Sequence, residues 1–187
     1  MWAFAVTVFL WSFYNVGTRS VNSDNAIIGM GLFVGGLAMF MAGMWEFPRG
    51  NVFGATFFTL YGSFWISYAA SVFLLGVNSF STEVPTTKDA LGLYLMIWFI
   101  ITFFFFLAVI RVNIAFSVLL FFWGLSYIML STSHWSNHHG QSLRDAGGAF
   151  GFVTALISLY IGLSQVHAAE YSLIRMPTGN INKEHSV

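Results

Sequence analysis

The sequence predicts an all-α integral membrane protein: six transmembrane helices forming three two-helix hairpins around a pseudo-three-fold axis. Three observations predict it. The composition is 57% hydrophobic and 7% charged, where a soluble domain carries about a quarter of its residues as charges. Apolar runs of near-bilayer length recur along the 187 residues, each bounded by polar punctuation. A pair of local marks then repeats three times at hairpin spacing.

A helix crosses the hydrocarbon core with about 20 apolar residues at about 1.5 Å rise each. Helices are expected at about 2–17, 26–44, 52–76, 91–110, 112–132 and 146–167, with a short tail over 168–187, all in one domain. The first is short for a crossing and has neither the basic lead nor the cleavage site of a signal peptide, so it reads as a helix whose first turn is missing. The fourth and fifth form one run of about 40 residues, twice what a bilayer accommodates, so the chain must turn near Arg111-Val112-Asn113. The other breaks, Thr18 to Asn25, Glu46 to Asn51, Asn78 to Asp89 and Ser133 to Asp145, collect Pro, Gly, Asn, Ser and charge. Six spans place both termini with Arg49, Arg111, Arg175 and Lys183, against Arg19, Lys88 and Arg144 opposite. The positive-inside rule then makes the termini cytoplasmic.

The repeat has two marks. Odd-numbered helices carry Trp11-Ser12-Phe13-Tyr14, Trp65-Ile66-Ser67-Tyr68 and Trp123-Gly124-Leu125-Ser126-Tyr127. Even-numbered helices are expected to open on Asp24, Asp89 and Asp145, and helices three and five on the Arg-x-Asn pairs ending at Asn51 and Asn113. Asp and Asn are strong N-caps, and backbone donors at a membrane surface are costly to leave unpaired. Aromatic belts occur at membrane interfaces in any case; two marks in register point further, to three parallel copies. Gly31-x-x-x-Gly35, Ala38-x-x-x-Ala42 and Gly147-x-x-x-Gly151 signal close helix packing. Trp98 to Leu107, nearly all bulky and apolar, is expected to face lipid or a neighbouring protomer.

Several function classes drop out. Seven acids balance seven bases, so no basic patch exists for nucleic acid. There is no cysteine, no nucleophile elbow, no His-Glu-x-x-His and no phosphate loop. Adjacent His138 and His139 point apart on a helix, and with His134 they read as a solvated loop rather than a metal site. No enzyme, cofactor or metal is expected. Glu46 and Arg49, three apart, read as a surface ion pair or as the charged mouth of a pathway. A path without fixed mid-membrane charge passes a neutral solute, a protonated acid, or an anion solvated by hydroxyls and amides. Thr7, Ser12, Asn15, Thr56, Thr59, Tyr61, Ser63, Ser67, Ser117, Ser126 and Tyr127 could supply such groups, or could bond their own helix backbones. On these features alone a carboxylate carrier, an ammonia or urea channel and a non-transporting membrane sensor all remain open.

The block from Gly43 to Thr56, continuing as Tyr61-Gly62-Ser63-Phe64-Trp65-Ile66-Ser67-Tyr68, closely resembles the acetate uptake transporter (AceTr) family of acetate and succinate–acetate permeases. Asn15-Val16-Gly17, Gly29 to Gly36 and Ala146-Gly147-Gly148 resemble it too. The resemblance implies six helices per protomer, a homo-hexamer in the plasma membrane, and passage of acetate or other small carboxylates with a proton. It also implies a hydrophobic constriction from helices one, three and five, mapping to Phe4, Tyr61 and Leu120, with Leu119 as the alternative at the third position. Asn15, Asn51, Ser63 and Asn113 would then offer polar groups along the path or cap its helices. The family's Asn-Pro-Ala-Pro-Leu-Gly-Leu signature would lie just before Met1 and is absent; its Asn would join Asn51 and Asn113 as a third of a set.

Overall fold

The computed structural model describes residues 1–20, 25–74, 85–136, 138–167 and 176–181, and these residues are helical throughout apart from turns and one isolated bridge. Helix α1 spans Trp2–Asn15, followed by a 3-10 turn at Thr18–Ser20. The next rod has three parts: α2 (Asn25–Gly29), a π-helical stretch (Met30–Ala38) and α3 (Met39–Glu46). Then come α4 (Val52–Leu74), α5 (Pro85–Val109), α6 (Ile114–Trp135) and α7 (Gly140–His167). Among the described residues four helical stretches are long and apolar enough to cross a membrane: Ala26–Glu46, Lys88–Val109, Ile114–Trp135 and Gly140–Val166. Two of the six predicted spans fall outside that set. α1 has 14 residues, and α4 has 23, with Thr, Ser, Tyr and Gly interspersed among its apolar residues.

Two predicted helix starts move. α5 begins at Pro85 rather than near 91, and α7 at Gly140 rather than 146. Asp89 and Asp145 therefore lie in the second turns, not at the caps. Proline explains the first case, since its fixed φ and missing N–H suit the opening position of a helix. In the second, Asp145 accepts a hydrogen bond from Gln141 Nε2 at 2.7 Å, a side-chain pair four residues apart that exists only if the helix has already begun. Asp24 lies outside the described residues. The two Arg-x-Asn openings behave as capping chemistry requires. Asn51 Oδ1 accepts from Gly54 N at 3.0 Å and Asn113 Oδ1 from Phe116 N at 2.9 Å. Gly50 permits the turn before α4 by taking φ +72°.

Each rod packs beside its neighbour in sequence. The π stretch and α3 lie on α4, α5 on α6, and α6 on α7, while α7 returns to α1 and α1 touches the π stretch. α4 and α5 meet through large side chains, as in the Phe53–Phe105 and Phe64–Trp98 ring pairs. Gly62 marks a close approach: a side chain there would meet Phe40 N at 2.7 Å and Gly36 O at 2.9 Å. Such backbone-to-backbone proximity is how membrane helices gain dispersion energy when lipid supplies no hydrophobic drive. On α5, Ile100, Phe104 and Leu107 point outward as predicted, and so does Ile97 just before them. Its opposite stripe does not: Thr102 is fully buried, and Trp98 and Phe105 pack on the core.

The described part of the tail does structural work. Gly179 O and Thr178 O accept from Ile114 N and Ala115 N at 3.0 and 3.1 Å, and Ile181 N donates to Val112 O at 2.9 Å. These contacts satisfy two of the donors that the first turn of α6 cannot pair internally. Asn113 Nδ2 donates to Asn180 Oδ1 alongside them.

Candidate transport pathway

Phe4 on α1 and Tyr61 on α4 meet edge-to-face, ring centroids 5.8 Å apart, and both are 0% exposed. The same knot holds Phe57, 4.6 Å from Tyr61 and 6.1 Å from Phe4, and Trp123 of α6, 5.4 Å from Phe4. Edge-to-face pairs are each worth about 0.5–1.5 kcal/mol beyond area burial, so this knot is a stable packing unit. Leu119 and Leu120 are both buried in the core to which these rings belong. Sequence reasoning missed Phe57, although its position four before Tyr61 puts it on the same face.

Tyr61 is fixed by a relay that sequence reasoning also missed. Thr102 Oγ1 donates to Trp98 O at 2.7 Å, so the Tyr61 hydroxyl, 2.7 Å away, donates to Thr102 Oγ1. The available signal was that Thr102 is the one hydroxyl within Trp98 to Leu107.

The polar residues divide. Ser63 Oγ donates to Thr59 O, Thr7 to Ala3 O and Thr56 to Val52 O, each at 2.8 Å and each four residues back. Asn15, buried at the end of α1, donates from Nδ2 to Trp11 O at 2.9 Å. These groups are occupied by their own helices. Glu46 is likewise engaged: Oε1 pairs with Arg49 at 3.0 Å and Oε2 accepts from Asn51 Nδ2 at 2.7 Å. Because Arg49 is 69% exposed, that ion pair contributes little, and its visible effect is to brace the α3–α4 turn. Among the described residues no group of three or more His, Asp or Glu is gathered as a metal site would require.

Among the described residues, five buried side-chain atoms have no hydrogen-bond partner by geometry: Ser12 Oγ, Thr59 Oγ1, Trp65 Nε1, Trp123 Nε1 and Tyr127 OH. Each such omission costs about 1–3 kcal/mol and calls for a reason. Four of the five belong to the aromatic–serine marks on α1, α4 and α6.

Residues 1–183 match the GPR1/FUN34/yaaH family. The chain belongs to this family. It is 32% identical over 191 residues to acetate permease A of Emericella nidulans, covering 95% of this chain and 63% of the relative. It is 29% identical over 174 residues to ammonia transport outward protein 2 of Saccharomyces cerevisiae, covering 91% and 61%. Against the succinate-acetate/proton symporter SatP of Escherichia coli the identity is 28% over 178 residues, covering 94% and 90%. The fold matches the solved structure of the bacterial acetate channel SatP with a TM-score of 0.81 at 25% identity, covering 94% of both chains. The chain spans 58%, 61% and 59% of the length of three curated fungal relatives that are 35%, 33% and 36% identical to it. The Tyr61–Tyr68 block lies on α4, the helix that brings Tyr61 to the ring knot.

Proposed function

We propose that this chain carries acetate and related short-chain monocarboxylates across a membrane, together with a proton, past a hydrophobic gate formed by Phe4, Tyr61 and Leu120. The observation that carries the proposal is the fully buried Phe4–Tyr61 contact between α1 and α4, in a chain that shares its fold with a bacterial acetate channel. Apolar rings charge a naked carboxylate a heavy desolvation cost, which a neutral acid largely escapes, so proton co-movement has a physical motive. The same reading takes α1 and α4 as spans that cross with the four more apolar helices, in three hairpins around a pseudo-three-fold axis. It further takes the assembly to be a homo-hexamer in the plasma membrane with cytoplasmic termini. The outward apolar stripe of α5 supplies a surface for lipid or a neighbouring protomer.

The test is radiolabelled acetate uptake into proteoliposomes, with and without an inward proton gradient. Uptake accelerated by the gradient and competed by propionate is expected. Acetate flux indifferent to the gradient would leave a passive acetate channel. A second reading, an ammonia channel, is favoured by the relative named for ammonia transport. It requires ammonia flux without acetate flux in the same vesicles. Folded protein that moves neither would be a sensor.

A further inference from the structure

Tyr61 of α4 bridges to helices on two sides. Its ring meets Phe4 of α1 edge-to-face at 5.8 Å, and lies 6.1 Å from Trp98 and 5.9 Å from Phe105, both of α5. Its hydroxyl, the side-chain atom farthest from the backbone, ends on Thr102 Oγ1 of α5 at 2.7 Å, an ordinary O–H···O distance. Both residues are 0% exposed. The Thr102 proton is committed to Trp98 O, so Thr102 can only accept and Tyr61 donates. Of Phe4, Phe57, Tyr61 and Trp123, the four rings of the knot, Tyr61 alone has a polar bond to another helix.

The backbones around this side chain are held. One turn past Tyr61, Trp11 of α1 packs on Trp65 of α4 and on Trp123 of α6, both at 5.6 Å, and Trp65 and Trp123 are 6.4 Å apart. Trp11 Nε1 also donates to Tyr68 OH at 2.9 Å, tying α1 to α4. Gly62, next to Tyr61, keeps α4 against Gly36 and Phe40. Widening the knot between α1 and α4 therefore falls to rotation of side chains. Rotating Tyr61 about its Cα–Cβ bond swings the hydroxyl furthest and breaks the bond to Thr102, whereas a slight tilt of the ring keeps it. A buried hydroxyl without a partner is costly, so this bond opposes a wide opening more than a narrow one.

We propose that Thr102 is a positioning residue of the gate: its bond to the Tyr61 hydroxyl holds the ring in the observed rotamer and so limits the size of acid that passes. This rests on the carboxylate-transport reading. Thr102 acts through Tyr61 and requires no contact with the solute.

The test measures uptake of radiolabelled acetate and butyrate by the full chain in proteoliposomes and reads their ratio. Thr102→Val keeps the branched shape and the methyl that faces Gly124 of α6, and removes only the hydroxyl. It is expected to raise butyrate uptake relative to acetate about fivefold, the net worth of one hydrogen bond. Tyr61→Phe removes the same bond from its other end and should raise the ratio equally, and the double variant should go no further. Thr102→Ser retains the bond and should keep the wild-type ratio. A merely structural defect would instead lower uptake of both acids together. If Thr102→Val fails to fold, Thr102→Ala and Tyr61→Phe carry the same comparison. A wild-type ratio in either folded single variant, additive shifts in the double variant, or a raised ratio in Thr102→Ser overturns the positioning role while leaving transport intact. No acid uptake by the wild-type chain overturns the transport reading, and the role of Thr102 falls with it.

Discussion

Helices α4 and α5 are of similar length, 23 and 25 residues, and face opposite environments. α5 is apolar enough to count as a membrane span, yet it exposes Phe104 at 65% and keeps one stripe outward. α4 falls outside that set, yet Phe57, Tyr61, Phe64 and Trp65 are all 0% exposed. The two helices are equally apolar on average, yet α4 is the more buried one. Lipid offers no partner to a hydroxyl, so a lipid-facing helix must be uniformly apolar. A helix surrounded by other helices can carry Thr, Ser and Tyr, because neighbouring carbonyls and hydroxyls satisfy them. In these two helices the placement of hydroxyls, rather than average apolarity, marks the one surrounded by protein.

The contrast can be broken most severely on α4. Gly62→Leu drives a side chain into the backbone of Phe40 and Gly36, neither of which can yield as a side-chain tip would. The expected cost exceeds about 3 kcal/mol, and size-exclusion chromatography in detergent should show loss of the monodisperse species. A bulky residue on the outward stripe of α5, such as Ile100→Phe, should leave the elution profile unchanged.

Tyr61→Ala comes next. It empties a fully buried ring site and should destabilise by on the order of 3 kcal/mol. It should also raise the uptake of butyrate relative to acetate in proteoliposomes. Equal selectivity in a folded variant would remove Tyr61 from the gate.

Thr102→Val sharpens the comparison, because Thr102 is the inward polar exception on α5. It strands the Tyr61 hydroxyl and should cost about 1 kcal/mol, seen as a lowered melting temperature. Tyr61→Phe in the same background should restore much of that loss, since the stranded hydroxyl is then gone. Phe104→Leu, on the outward stripe, is expected to change stability by no more than about 0.5 kcal/mol in the same melt.

The sequence shows why α5 was only half legible. Leu91, Leu95, Trp98, Thr102, Phe105 and Val109 line one stripe and Leu93, Ile97, Ile100, Phe104 and Leu107 the other, at the same spacings of three and four. Both stripes are apolar, so periodicity cannot tell which turns inward, and Thr102 is the one residue that breaks the tie. The hydroxyls divide for a related reason. Ser63, Thr7 and Thr56 return their protons to their own helices, whereas Ser12 and Tyr127 do not. Composition is the same in both cases, and only the neighbouring chain distinguishes them.

What the sequence by itself determined is local or compositional. Too few charges and too many apolar runs require a membrane, the run interrupted at Arg111 requires a turn, and Asn51 and Asn113 cap the helices they precede. Each follows from bilayer thickness or from the unpaired donors of a helix end, which depend on residues close in the chain. The tertiary structure alone decided that Trp11, Trp65 and Trp123 meet, that Thr102 holds Tyr61, and that residues 178–181 complete the start of α6. Those are pairings between distant segments. Helices with little polar asymmetry carry no local instruction about which face turns toward which neighbour; close packing around glycine and the satisfaction of buried polar groups make that choice.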